Sequence, residues 1–175
     1  MDTSASGTLA CVGLGANLGD PAAAIASALT AIERLPDTWL IARSSLWRSA
    51  PVLAEGPDFI NAVAVLRTGL APLALLDALQ AIELAHGRER PWPNAPRLLD
   101  LDLLLHGKVM MTTERLALPH PRMHQRAFVL APLAEVAPAL TLPGLGPIGP
   151  LLAACAGQRC ERLPADPADL AGDGP

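Results

Sequence analysis

Asp100 and Asp102 stand two residues apart inside the apolar run LLDLDLLL, Leu98–Leu105. Strand side chains alternate between faces, so both carboxylates share one face, roughly 6–7 Å apart along the backbone. Leu99, Leu101 and Leu103 then point the other way, into a core. Two like charges on one face repel, and unpaired burial is costly, so a cation is expected between them. Oxygen-only ligands favour Mg²⁺, above all where substrate phosphates complete the octahedron. A strand face neutralised by arginines would account for the same pair, since short acidic motifs also arise by chance.

Arg88, Arg90 and Arg97 flank a proline-rich stretch that leads directly into the acidic run. A metal site beside arginines is the equipment of phosphoryl transfer: both stabilise charge on phosphate oxygens. Solvated loop charges are the plainer account. The net charge of −4 hides an uneven distribution. Residues 88–126 carry Arg88, Arg90, Arg97, Lys108, Arg115, Arg122 and Arg126 against Glu89, Asp100, Asp102 and Glu114, while both flanking segments are acidic. Lys108 is the only lysine. Codon bias explains that scarcity but not the clustering. A basic island in an acidic chain suits a small anion better than a nucleic-acid duplex.

Three further features bear on chemistry. Gly13-Leu14-Gly15-Ala16-Asn17-Leu18-Gly19 is one residue longer than the dinucleotide fingerprint and lacks the Lys-Ser/Thr of a phosphate loop, so it reads as a tight turn between strand and helix. His120 and His124 have zinc-like spacing, but Pro121 intervenes and no third ligand presents itself. His120 near Arg122 and Arg126 suits a phosphate donor, or a loop cap. Asn61 is the odd polar residue of an apolar strand face, so its amide needs backbone partners or a ligand with donor and acceptor edges.

These residues need a frame. Thr8–Gly13 reads as a strand, and Asp20-Pro21 opens a helix through Leu35 that Pro36 stops. Trp39–Arg48 reads as a strand, Ala50–Pro57 as a loop, and Phe59–Arg67 as a strand with Phe59, Asn61, Val63 and Val65 on one face. Pro72 opens a second helix closed at His86-Gly87. After the acidic strand, Lys108–Thr112 reads as a hairpin partner, His124–Ala137 as a third helix and Pro150–Ala156 as a short fourth. The order strand, helix, strand, strand, helix, strand describes an α+β, ferredoxin-like βαββαβ core with an antiparallel sheet. Helices would cover one face and leave the other for a site. The 175 residues suit one domain over 1–163, with a flexible tail over 164–175.

Composition narrows the classes. Hydrophobic residues are 51% and charged ones 17%, which excludes a disordered chain. The longest uncharged stretch, Val136 to Gln158, holds Pro138, Pro143, Pro147 and Pro150, which argues against a spanning helix. The N-terminus MDTSASG lacks a secretory pattern, and Cys11, Cys155 and Cys160 form no disulfide framework, so a reducing, cytoplasmic location is expected. A monomer is expected as well. Aromatics are 3%, with no tyrosine, so a base-stacking surface is not expected. Neither a nucleic-acid nor a membrane partner is expected.

Taken together, GLGANLGD, PDFINAV, Glu83…Gly87-Arg88-x-Arg90, APRLLDLDLLLHG and LPHPRM…RAFVLAPL resemble the 6-hydroxymethyl-7,8-dihydropterin pyrophosphokinase family. The resemblance runs in order from about Thr8 to about Ala156. It implies a ferredoxin-like enzyme of folate biosynthesis that moves the β,γ-pyrophosphoryl group of ATP onto the pterin hydroxymethyl oxygen and releases AMP. It implies that Asp100 and Asp102 hold two Mg²⁺, with Asp100 near the pterin hydroxyl, and that Arg88 and Arg97 join them in catalysis. ATP-site positions fall on Gln80, Glu83, Arg88, Arg90, Arg97, Arg115, His120 and Arg126. Pterin-site positions fall on Ser49, Ala50, Val52, Phe59, Asn61, Asp100 and Phe128, the last as a stacking ring. Asn94-Ala95-Pro96-Arg97 stands where the family often has Trp-Gly-Pro-Arg, with Trp92 nearby, and Phe59 stands where a tyrosine is common. The rival classes are a metal-dependent phosphohydrolase or nuclease, which needs no pterin, and a non-catalytic anion-binding module, which needs no Mg²⁺.

Overall fold

The computed structural model describes residues 6–51, 56–87 and 98–165. Val52, Arg88, Arg90, Trp92, Arg97 and the tail from residue 166 onward lie outside the described residues. The elements are β1 (Thr8–Ala16), α1 (Pro21–Glu33), β2 (Thr38–Arg43), β3 (Trp47–Ser49), β4 (Phe59–Thr68), α2 (Pro72–Ala85) and β5 (Asp100–His106), then β6 (Met111–Thr112), β7 (Ala117–Leu118), α3 (Ala127–Val136), β8 (Thr141–Leu142), β9 (Gly146–Pro147), α4 (Ile148–Ala153) and β10 (Cys160–Arg162).

Local chemistry explains the main boundaries. The Asp20 carboxylate accepts the Ala23 N–H and Pro21 fills the first turn, so α1 starts there. Pro72 likewise fills the first turn of α2, which is capped at His86 before Gly87 at φ +76°. Gly107, at φ +57°, turns the chain out of β5.

The principal sheet runs β10-β3-β4-β1-β5, with β2 also on β4, and its pairings are antiparallel. This is the ferredoxin-like arrangement, with the expected second strand in two pieces. Ser44 makes the break. Its N–H donates to Val63 O at 2.9 Å, and its hydroxyl takes the Val63 N–H at 2.9 Å, so a side chain replaces one rung of the ladder. β3 then resumes against the start of β4.

Apolar residues fill both faces. Ala10, Val12, Leu14, Ala62, Ala64, Leu66, Leu101 and Leu103 meet the buried stripes of α1 and α2. On the opposite face Cys11, Val63, Leu104 and Leu105 meet Met123, Val129, Leu130 and Leu133 together with Ile148 of α4. The expectation that this second face stays open is therefore corrected: α3 and α4 cover its middle, because those buried sheet residues need apolar partners. Other boundaries also move. The hairpin partner of β6 is β7, not β5. A short 3₁₀ turn at Met123–Gln125 precedes α3, which begins at Ala127. Pro150–Ala156 becomes Ile148–Ala153. β10 has no counterpart in the sequence reading.

Candidate active site

The site face is built from the ends of four strands. Cα partners place Asp100 opposite Gly15, Gly15 opposite Asn61, and Asn61 opposite Trp47. One residue pair further along, Asp102 stands opposite Gly13, which stands opposite Val63. Partners in register share a face, so the acid pair and Asn61 rise on either side of two bare glycines. A Cβ added at Gly15 would lie 3.4 Å from Asn61 Oδ1 and 4.0 Å from Phe59. The glycines therefore keep a groove open between the carboxylates and the amide. This corrects the reading of Gly13–Gly19 as a turn. Gly13 and Gly15 are strand residues without positive φ, and Gly19, at φ +66°, makes the turn.

Asn61 is 4% exposed. Its Nδ2 donates to Ser49 Oγ at 2.8 Å and to Trp47 O at 3.4 Å. A carbonyl only accepts, so these partners orient the amide with Oδ1 over Gly15. Asn61 and Ser49 thus lie hydrogen-bonded on one surface, with Phe59 half-buried beside the groove. Ala50 is exposed at the end of β3.

The other end is closed by the segment before α3. His120 N–H donates to Leu104 O at 2.9 Å, which docks the histidine against β5 just past the acid pair. Its Nδ1 accepts the Arg122 N–H at 3.2 Å, so the neutral ring carries its proton on Nε2. Burial, then the Arg126 charge, push the His120 pKa below its ordinary value to about 4; Asp100 opposes and Arg122 assists. The Arg126 guanidinium lies over the half-buried Phe128 ring, 5.5 Å from its centroid. His120 is thus a neutral N–H donor between cations. Nitrogen NMR of the ligand-free protein should find the His120 proton on Nε2 and the ring uncharged down to about pH 4. Because the unfolded ring ionises near pH 6.5, this histidine should make stability fall with acid from there down to the folded pKa. A ring charged at pH 6 would contradict the assignment.

Other expected residues lie elsewhere. Glu83 is 2% exposed and faces the α1–α2 core, with Oε1 accepting the Leu101 N–H at 2.9 Å. Gln80 is half-buried one turn earlier on α2. Arg115, between β6 and β7, ion-pairs with Asp77 of α2, both exposed. These residues follow the α2 side of β5 rather than the groove.

Glu135 was not foreseen. From α3 it accepts from Ser45 N–H at 3.0 Å, Ser45 Oγ at 2.6 Å and Trp47 Nε1 at 3.0 Å, and it pairs with Arg162 of β10 at 3.2 Å. It thereby clamps the break between β2 and β3 under the helix. Burial works to raise its pKa, but the hydrogen bonds from Ser45 and Trp47 and the Arg162 charge outweigh it, so the carboxyl sits below its ordinary value. Its stabilisation is complete above the unfolded carboxylate's pKa and is lost as pH falls through the folded one. Glu135→Ala leaves three donors without their acceptor and should cost about 2–4 kcal/mol in urea unfolding at pH 7. The difference from the parent should shrink in acid; a difference independent of pH would contradict the charge's part.

Asp100 and Asp102 are half-buried. Among the described residues no group of three His, Cys, Asp or Glu side chains gathers to hold a metal. A cation here would draw its remaining oxygens from substrate and water. Two carboxylates beside side-chain-free glycines fit a hard, partly hydrated ion such as Mg²⁺.

A ferredoxin-like sheet with an acidic pair, a neutral histidine donor and an amide-lined groove carries the kinds of group that a small-molecule phosphotransferase uses. Residues 11–138 match the family model described as 7,8-dihydro-6-hydroxymethylpterin-pyrophosphokinase (HPPK). The chain is 53% identical over 154 residues to the 2-amino-4-hydroxy-6-hydroxymethyldihydropteridine pyrophosphokinase of Pseudomonas aeruginosa, covering 87% of this chain and 95% of that one. It is 46% identical over 135 residues to the enzyme of the same name from Haemophilus influenzae, covering 77% and 84%. A Plasmodium falciparum HPPK-DHPS triple mutant shares the fold with a TM-score of 0.71 at 15% identity; the match covers 87% of this chain and 45% of that longer one. The chain belongs to the 7,8-dihydro-6-hydroxymethylpterin-pyrophosphokinase family. It transfers a pyrophosphoryl group to hydroxymethyldihydropterin in folate biosynthesis, with ATP as co-substrate.

Proposed function

We propose that the groove over Gly13 and Gly15 is where the two substrates meet, with the pterin on the Asn61 side and the ATP phosphates on the Asp100–Asp102 side. The observation that carries this is the row Asp100–Gly15–Asn61, which sets a carboxylate and an oriented amide across a bare strand. Asn61 Oδ1 accepts a ring N–H of the pterin, Ser49 holds that amide in place, and Phe59 and Phe128 supply flat apolar surface. Ala50 and Val52 belong to the same side by the family resemblance. Asp100 and Asp102 would hold Mg²⁺, two ions in the family's pattern. Bound there, the metal would withdraw charge from the phosphate oxygens and lower the pKa of the attacking hydroxyl. His120 donates from Nε2 to a phosphate oxygen and Arg126 adds a fixed charge. Gln80 and Arg115 are assigned to ATP by the family resemblance, as are Arg88, Arg90 and Arg97, which lie outside the described residues. Attack by the pterin hydroxymethyl oxygen falls on the β-phosphorus, and AMP leaves.

The enzyme is read as a cytoplasmic monomer with small-molecule partners alone. Its described cysteines are all free. No helix among the described residues is long and apolar enough to cross a membrane.

The test is incubation with ATP, Mg²⁺ and reduced hydroxymethylpterin, with nucleotides resolved by chromatography. AMP formed only with pterin present supports transfer from the β-phosphorus. ADP, or AMP without pterin, would overturn it in favour of an ordinary kinase or a hydrolase.

A further inference from the structure

Glu83 stands where the family resemblance expects a nucleotide contact, yet it is buried on the opposite side of the sheet from the acid pair. It shares the sheet-facing stripe of α2 with Leu75, Leu76, Leu79 and Ile82. Its Oε1 takes the Leu101 N–H at 2.9 Å. Among the described residues, β5 is the last strand of its sheet and pairs with β1 alone. Strand amides alternate in direction, so one turned away from β1 has no ladder partner. Glu83 supplies that partner at the residue between Asp100 and Asp102.

The backbone at Leu101 sets how far apart the two carboxylates stand and how they tilt. A terminal strand held on one side is the least constrained of the sheet. We propose that Glu83 is a positioning residue for the acid pair: it anchors the free edge of β5 through Leu101 and fixes the separation at which Asp100 and Asp102 meet a divalent cation, without touching the nucleotide. The proposal rests on the reading of the acid pair as the metal site.

Two substitutions separate oxygen from charge. Glu83→Gln keeps an oxygen at the same reach and removes the charge. Glu83→Asp keeps the charge and withdraws the oxygen by one methylene. In the ligand-free protein, Leu101 amide exchange should speed up about tenfold in Glu83→Asp and stay near the parent in Glu83→Gln. Mn²⁺ affinity, read by electron paramagnetic resonance with a non-hydrolysable ATP analogue, should fall about tenfold in Glu83→Asp and less than about threefold in Glu83→Gln. Metal-free affinity for the analogue should not change in either. Equal losses in both variants would overturn the proposal by making the charge, not the oxygen, the active feature. So would weaker metal-free nucleotide binding, or an unchanged Leu101 exchange rate in Glu83→Asp. Asp102→Ala, measured alongside, tests the underlying reading: full Mn²⁺ affinity there would remove the metal site while leaving the exchange result to stand on its own.

Discussion

Asp102→Ala is expected to lower turnover about a thousandfold at saturating substrates, equivalent to about 4 kcal/mol of transition-state stabilisation. Asp102 shares its face with Asp100 and stands opposite Gly13, while Leu101 and Leu103 bury against α1 and α2. Removing its carboxylate halves the hard-oxygen set of the acid pair without opening a cavity in the core. The loss should therefore appear in turnover and in the Mg²⁺ requirement, with thermal unfolding near that of the parent. Near-normal turnover at saturating Mg²⁺ would sink the assignment of the pair to the metal.

Gly15→Val should weaken pterin binding roughly a hundredfold, since forcing bulk into a filled space costs about 1–3 kcal/mol and the displaced contacts add to it. The first added carbon would already lie 3.4 Å from Asn61 Oδ1, so the branches must displace either the amide or the heterocycle. Gly15 lies in regular strand, where valine is at ease, so the fold should hold. Calorimetry with pterin would show the loss, and ATP binding in its absence should change far less. Equal weakening of both ligands would mean that the groove is not divided as described.

The acid pair and Asn61 were legible because period-two alternation against buried leucines and alanines makes a polar residue conspicuous. The glycines were misread for the opposite reason: glycine most often signals a turn, and nothing local tells a bare strand from a loop. Its meaning comes from Asp100 and Asn61 on the neighbouring strands. Glu135 was invisible because its partners Ser45 and Trp47 lie about ninety residues away. The covering of the second face follows from Cys11, Val63, Leu104 and Leu105, whose burial is evident only once the strands are aligned. Glu83 was noticed through a resemblance, whereas its burial and its hydrogen bond from Leu101 N–H on β5 had no signal in the sequence.

β10 returns almost the last described residues to the outer edge of β3, where Leu163 N–H also donates to Leu46 O at 2.8 Å. That edge continues into β2, whose Trp39 and Ile41 are about half exposed. A chain cut before Cys160 would bare the amides of β3 beside those two apolar side chains. Such an edge is a template for strand addition from another molecule. By covering that edge, β10 should guard against self-association, and changes to it should show in how well the protein stays dispersed before they show in catalysis.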